Sequence, residues 1–242
     1  MAARTGADRG ILYVAVGEQW YIDECLSSAA SAKAVHPDLP VALVTDARQA
    51  RFPHVDYVLN VREQIHPLKQ KVKHLSLSPF RRTLFLDTDT VLRRPVASLF
   101  DRLNDLDFLI AAAPRVDWQA QPPVFLDYEA QGAFNTGVFL FRRSPAVSAF
   151  VNRWFEAFRG QEESVIRPGS FCDQCYFNQI FETAARECGM TWGAIPARIY
   201  NARAFLENIL ERDGFLSEVA IFHGRASQPR LEQARPTEHR TR

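Results

Sequence analysis

The sequence predicts an α/β protein built on one open, mostly parallel sheet with helices on both faces. In the first third of the chain, short β-branched runs of strand length alternate with helix-length segments across short connections. Two of those runs end at an aspartate, and ligands of open parallel sheets gather outside the carboxyl ends of the strands. With 242 residues, 47% of them apolar, the chain is long enough to bury a core without disulfide or metal staples.

The elements follow in order. Ile11 to Val16 is the first strand, and Glu18 to Ala34 a helix with Tyr21, Cys25, Ala29 and Ala32 facing inward, stopped by His36-Pro37. Val41 to Thr45 is a strand ending at Asp46, and Tyr57 to Val61 another. Pro67 opens a helix expected to reach Leu77, ahead of Ser78-Pro79. Thr83 to Leu86 is a buried strand running into Asp87-Thr88-Asp89, and Asp107 to Ala113 a further strand. Arg115 to Gly132, with Pro122-Pro123 and the aromatics Trp118, Phe125 and Tyr128, reads as a long functional loop. Phe134 to Phe141 is a strand, and Ser144 caps a helix whose stripe of Val147, Phe150, Val151, Trp154, Phe155 and Phe158 belongs to the core. A helix from Asp173 turns Tyr176, Phe177, Ile180, Phe181, Ala184 and Cys188 inward and closes at Gly189. Met190 to Ile195 and Val219 to Phe222 are late strands.

Composition excludes several functions. Lys and Arg number 29 against 28 Asp and Glu, a net charge of +1 with no dominant cation cluster, which argues against nucleic acid as a partner. The longest apolar runs, such as Phe108 to Ala113, are far too short to span a bilayer. The polar start and the early Glu18 do not form a secretory signal, so a cytoplasmic protein is expected. Cys25, Cys172, Cys175 and Cys188 are then expected as free thiols, and Cys172-x-x-Cys175 as packing rather than a metal pair. Residues 1–10 and the basic tail 226–242 are expected to be flexible, with one domain over 11–225.

Chemistry concentrates at Asp87-Thr88-Asp89. Two carboxylates where an apolar strand ends supply half of a divalent-cation site of the kind that takes its other ligands from water and substrate phosphates. Solvated turn aspartates are the plainer alternative. The string Asp87 to Val91 also resembles the D-x-D-x-T/V motif of haloacid-dehalogenase phosphatases, but the chain after Val91 has neither the Gly-Asp pair nor the Lys that those enzymes need.

A longer ordered set of strings resembles the GT-A fold glycosyltransferases, glycogenin-like and bacterial lipopolysaccharide enzymes in particular. Leu77-Ser78-Pro79-Phe80 and Thr83 to Thr90 are similar to their helix end and DxD strand. Phe134-Asn135-Thr136-Gly137-Val138 resembles F-N-[ST]-G-V, and Asp173-Gln174-x-x-Phe177-Asn178 resembles D-Q-x-x-[LF]-N. Asn201 is similar to the Asn after their late strand, and Ile221-Phe222-His223-Gly224 to the strand carrying a third metal ligand. The resemblance implies a GT-A domain that moves a hexose from a nucleotide diphosphate sugar, in the first instance a UDP-sugar, to a carbohydrate, protein or other hydroxyl acceptor, with retention. It implies Mn²⁺ or Mg²⁺ on Asp87, Asp89 and His223. It places Lys71, Asp87, Thr88, Asp46, Ala15, Val16 and Arg225 around the donor nucleotide, and Gln174, Asp173 and Asn135 at the sugar. Asp173 as an ordinary N-cap, and Phe134 and Gly137 as structural residues, are the plainer readings of those positions.

All four lysines are Lys33, Lys69, Lys71 and Lys73, and a solvated helix face is expected to account for at least two of the last three. The Lys-Pro-Trp continuation of glycogenin-like enzymes is missing after His223-Gly224, so Arg225 or Arg203 is expected in place of its lysine. A nucleotidylyltransferase would share the fold but needs a Gly-rich loop, and Val16-Gly17-Glu18-Gln19 is not one. A non-catalytic nucleotide-sugar-binding protein remains the alternative function. Because the tail is basic and the body net negative, an anionic donor would need a metal ion and a few placed cations. Acceptor recognition then falls to the long loop, the tail or a partner chain, a homo-oligomer among them.

Overall fold

The computed structural model describes residues 7–62, 65–117, 119–127, 133–161 and 173–224. Trp118, Tyr128, Cys172, Arg225 and the tail therefore lie outside the described residues. In chain order the elements are β1 (Arg9–Val14), α1 (Gln19–Val35), β2 (Val41–Thr45), β3 (Tyr57–Asn60), α2 (Pro67–Lys73), β4 (Arg82–Leu86), β5 (Thr90–Leu92) and α3 (Ala97–Arg102). There follow β6 (Phe108–Ala112), β7 (Arg115–Asp117), β8 (Val124–Asp127), β9 (Phe134–Arg142), α4 (Pro145–Arg159) and α5 (Asp173–Glu187). The last are β10 (Trp192–Ile195), α6 (Ala197–Tyr200), β11 (Ala202–Arg203), α7 (Glu207–Arg212) and β12 (Ile221–His223).

The main sheet runs β10-β6-β9-β4-β1-β2-β3. Its pairs are parallel except at β9, which lies antiparallel between β4 and β6. Alternation along the strands sorts the core into two layers. Ile11, Tyr13, Leu43, Leu84 and Leu86 pack with Ile22, Cys25 and Ala29 of α1 and with Leu99 and Phe100 of α3. Leu12, Val44, Phe85 and Phe139 pack on the opposite face with Phe150 and Trp154 of α4 and Phe177 and Phe181 of α5. Phe139 stacks on Phe85 at 4.7 Å and on Phe108 at 5.2 Å, so the reversed strand is fixed by aromatic contacts on both sides. Ser144 caps α4 by accepting from Val147 N at 3.2 Å.

A second, three-stranded sheet, β11-β12-β5, brings His223 to the DxD segment, since His223 on β12 pairs with Thr90 on β5. A buried hydroxyl chain anchors that corner. Tyr13 and Ser28 share a hydrogen bond of 2.8 Å, Ser28 and Thr90 another of 2.8 Å, and Thr90 donates to the Asp87 carbonyl at 2.9 Å.

Several expectations need correction. The helix expected through Leu77 is α-helical only to Lys73 and ends as a 3₁₀ turn over His74–Leu77. The stretch expected as loop from Arg115 contains a two-stranded antiparallel pair, β7 with β8, and Phe125 lies on β8. Lys69 is buried and donates to the Gln161 carbonyl at 2.8 Å, so no solvated face accounts for it. Cys175 is disulfide-bonded, whereas Cys25 and Cys188 are free thiols. No helix among the described residues is long and apolar enough to cross a membrane.

Candidate active site

The carboxyl ends of β1 and β4 open onto a cleft of about 200 Å³. It is lined by Val14, Val16, Trp20, Tyr21, Glu24, Pro67, Leu68, Lys71, Asp87, Thr88, Asp89 and Asp173. At one edge Asp87, Asp89 and His223 each offer a ligand atom, all within 4.8 Å of one another. His223 Nε2 lies 3.3 Å from Asp89 Oδ1 and 3.5 Å from Asp87 Oδ2. Neighbouring ligands of a six-coordinate ion with bonds of about 2.1 Å stand about 3 Å apart, so the triad fits Mn²⁺ or Mg²⁺. Backbone bonds hold it: Asp87 N donates to the Gly137 carbonyl at 2.8 Å, and Gly224 N to the Asp89 carbonyl at 2.9 Å.

Gly137 has a steric role beyond the structural one expected of it. A Cβ there would lie 1.9 Å from His223 Cε1, so only glycine lets β9 pass under the imidazole.

Behind the triad lies a buried ion cluster. Lys71 Nζ lies 2.8 Å from Asp87 Oδ1 and 2.9 Å from Asp173 Oδ2. Burial alone would depress the Lys71 pKa, but the charges of Asp173 and Asp87 outweigh it and hold the value above that of an ordinary lysine. Burial likewise works against the Asp87 anion, and Lys71 and His223 overcome it, so its pKa lies below the carboxylate range. At His223, burial opposes protonation while hydrogen bonds to Asp87 and Asp89 raise the pKa. Asp173 also accepts from the Thr136 hydroxyl at 2.8 Å, and its carbonyl accepts from Trp154 Nε1 at 3.0 Å. Asp173 thus starts α5 as an anchor to α2, α4 and β9.

An amide chain runs from the triad toward α5. Asn201 Oδ1 lies 2.8 Å from His223 Nδ1, and Asn201 Nδ2 donates to Asn135 Oδ1 at 2.9 Å. Asn135 Nδ2 in turn donates to Gln174 Oε1 at 2.9 Å. Asn178 bonds both the N–H and the carbonyl of Phe134, at 2.7 and 3.0 Å, which fixes the start of α5 against β9. Arg203 Nη1 lies 2.8 Å from His223 Nδ1.

Of the sequence-predicted residues, Lys71, Asp87, Thr88, Asp89, Asp173 and Val16 line the cleft, and His223, Asn135 and Gln174 are linked to it through the contacts above. Ala15 and Asp46 do not line it. Ala15 is packed in the core and hydrogen-bonded to the Val44 carbonyl, and Asp46 is exposed and accepts from Gly17 N at 3.1 Å, where φ of +89° requires glycine. Sequence reasoning missed Trp20 and Glu24, and assigned Tyr21 to the core alone. Polar and aromatic residues interrupting the apolar stripe of α1 were the available signal.

A family model for nucleotide-diphospho-sugar transferases matches residues 81–218. No curated protein matches the chain. Among solved structures the fold is similar to the glycosyltransferase GlyE of Streptococcus pneumoniae TIGR4, with a TM-score of 0.60 and 15% identity over 89% of this chain and 54% of that one. It is also similar to the galactosyltransferase LgtC in complex with donor and acceptor sugar analogues (0.52, 18%, 88% and 86%). Mouse xyloside xylosyltransferase 1 is another similar structure (0.52, 15%, 92% and 99%). The chain spans about half the length of the GlyE chain.

Proposed function

The chain belongs to the nucleotide-diphospho-sugar transferase family and has the GT-A fold, and from that premise we propose that it is a metal-dependent glycosyltransferase moving a hexose, in the first instance from a UDP-sugar, to a hydroxyl acceptor with retention. The observation that carries this reading is the charge of the cleft. Among the described residues its lining holds the carboxylates of Glu24, Asp87, Asp89 and Asp173 against the ammonium of Lys71. A diphosphate entering there meets net negative charge unless a divalent cation accompanies it, and Asp87, Asp89 and His223 are the residues that would hold that cation. Bound there, it would neutralise the diphosphate and stabilise the charge that develops on the leaving group.

The chain's own groups do the rest. His223 must present a neutral Nε2, which puts its proton on Nδ1, donated to Asn201 Oδ1. In that tautomer Nδ1 no longer accepts from Arg203, whose guanidinium turns to the anion in place of the lysine missing after Gly224. Asn135 fixes the Gln174 side chain by donating to its Oε1, and in this reading that amide is the group that orients the sugar. Asp173 is committed to Lys71 and Thr136, which suits an anchor rather than an inverting base and supports retention. The acceptor hydroxyl bonds to the anomeric carbon as the bond to the diphosphate breaks, and its proton passes to the departing phosphate.

The test is release of nucleoside diphosphate from a panel of UDP-hexoses, with Mn²⁺ and with chelator, in the presence of sugar acceptors. Metal-dependent release supports the reading. Tight donor binding without release or transfer favours a non-catalytic nucleotide-sugar-binding protein.

A further inference from the structure

We propose that Thr90 is a positioning residue of the metal site, and that Ser28 and Tyr13 fix the direction in which its hydroxyl proton points. The inference rests on the metal-dependent reading above and gives a role to three residues to which that reading assigns none.

Tyr13 on β1, Ser28 on α1 and Thr90 on β5 are each 0% exposed, so their hydroxyls must find partners inside the protein. The Tyr13 and Ser28 oxygens lie 2.8 Å apart, as do those of Ser28 and Thr90. Distance alone leaves both donors open. Proton counting closes the choice, because a hydroxyl has one proton to give. Thr90 gives its proton to the Asp87 carbonyl at 2.9 Å, and a carbonyl only accepts. Ser28 must then donate to Thr90, and Tyr13 to Ser28. Burial raises the Tyr13 pKa and so keeps the phenol in the form that donates. The order therefore runs one way, from Tyr13 through Ser28 and Thr90 to the main chain of the first metal-ligating aspartate.

That end point gives the chain its function. Asp87 N already donates to the Gly137 carbonyl at 2.8 Å, and the Thr90 hydroxyl supplies the tie on the other side of the same residue. Thr90 also pairs with His223 across β5 and β12. One side chain thus holds the backbone of Asp87 from a residue that stands in register with the third ligand. α1 secures the same strand a second time through Ser31, whose hydroxyl donates to the Ser28 carbonyl at 2.6 Å and accepts from Leu92 N at 3.0 Å. Octahedral ions tolerate little error in ligand placement, so a turn of the Asp87 peptide released from Thr90 weakens the site without removing any ligand.

Thr90→Val removes the hydroxyl at nearly constant volume, and Thr90→Ser keeps it. Calorimetric titration of the full chain with Mn²⁺ and the tightest binder among UDP, GDP and ADP reads the metal site. Thr90→Val is expected to bind about tenfold or more weakly, the loss typical of an outer-shell partner, and Thr90→Ser to recover most of that. Gly10→Ala, which crowds Phe80 at the other end of β1, separates this from general destabilisation, since it should melt at a lower temperature and keep its affinity. Proton order is read by thermal melting of the metal-free protein. Ser28→Ala strands the Tyr13 proton and Tyr13→Phe strands none, so Ser28→Ala should melt below Tyr13→Phe, and the double variant should melt above Ser28→Ala. A Thr90→Val protein that binds as tightly as the wild type, or a Thr90→Ser protein that binds no better than Thr90→Val, overturns the positioning role. Tyr13→Phe melting below Ser28→Ala overturns the proton order. No metal-dependent binding of any of the three nucleotides to the wild type would instead overturn the reading on which the inference rests.

Discussion

Gly137→Ala perturbs the metal triad without touching a ligand. The added methyl would lie 1.9 Å from His223 Cε1 and 2.6 Å from both ring nitrogens. Ordinary contact begins at 3.4 Å, so the imidazole must retreat by about 1.5 Å. It has little room, being 5% exposed, with Asn201 Oδ1 2.8 Å from Nδ1 and the two carboxylates at Nε2. A shift of that size takes Nε2 out of bonding range of an ion held by Asp87 and Asp89. Loss of an outer-shell partner alone costs 10- to 100-fold in metal affinity, so loss of the ligand position should cost about 100-fold or more. Overpacking should lower stability by about 1–3 kcal/mol besides. Calorimetry with Mn²⁺ and UDP measures the first effect and urea unfolding the second. Gly10→Ala is the control: its Cβ would meet the Phe80 ring at 2.4 Å, at the other end of β1 from the cleft, so it should lose stability and keep metal affinity. A folded Gly137→Ala protein that binds Mn²⁺ and UDP as tightly as the wild type would refute the assignment of His223 as a ligand in the position described.

Further outcomes follow from the same geometry. Asp89→Asn should abolish the metal-dependent part of nucleotide binding while leaving the melting temperature near that of the wild type; unchanged titrations would remove Asp89 from the ligand set. Lys71→Met strands the carboxylates of Asp87 and Asp173 and should cost about 3 kcal/mol in urea unfolding, part of which Asp173→Asn restores in the double variant. Asp107 tests the pH dependence of the fold. Burial raises its pKa, but hydrogen bonds from Arg142, Thr191 and Ser144 more than offset that and depress it below 3.8. The unfolded chain therefore takes up the proton first, and this stabilisation is present above about pH 4 and lost as the pH falls through the folded value. Asp107→Asn should flatten the acid limb of a stability-against-pH curve, and an unaltered limb would contradict the assignment.

Much of the fold was legible because its signals are local. The run Thr83 to Leu86 ending at Asp87, the Ser144 cap with its apolar stripe, and Gly189 with φ of +64° at the end of α5 each act within a few residues. The elements missed are α3, α6 and α7, helices of four to six residues and too short to show an apolar period, and strands whose formation depends on distant partners. β5 is three residues long and exists through pairing with β12, and β7 and β8 hold each other across a segment rich in proline that lacks a hairpin turn signature. The site divides in the same way. Asp87, Asp89, Asn135, Asp173 and Gln174 sit in strings whose spacing is short-range, whereas Glu24 gains its place only because Thr88, far along the chain, comes within 3.1 Å of it. Likewise Gly137 reads as a strand residue until the His223 ring lies over it. Lys71, by contrast, stood out in a chain with only four lysines, but its two carboxylate partners come from β4 and α5 and could be paired with it only in three dimensions.

Anomalous diffraction at the manganese edge, from crystals grown with Mn²⁺ and a nucleoside diphosphate, tests the metal-dependent donor site most directly. The account predicts one peak within about 2.2 Å of a carboxylate oxygen of Asp87, one of Asp89, and His223 Nε2, with the diphosphate completing its coordination. A bound nucleotide with no peak among those three residues, or a peak elsewhere in the cleft, would contradict it.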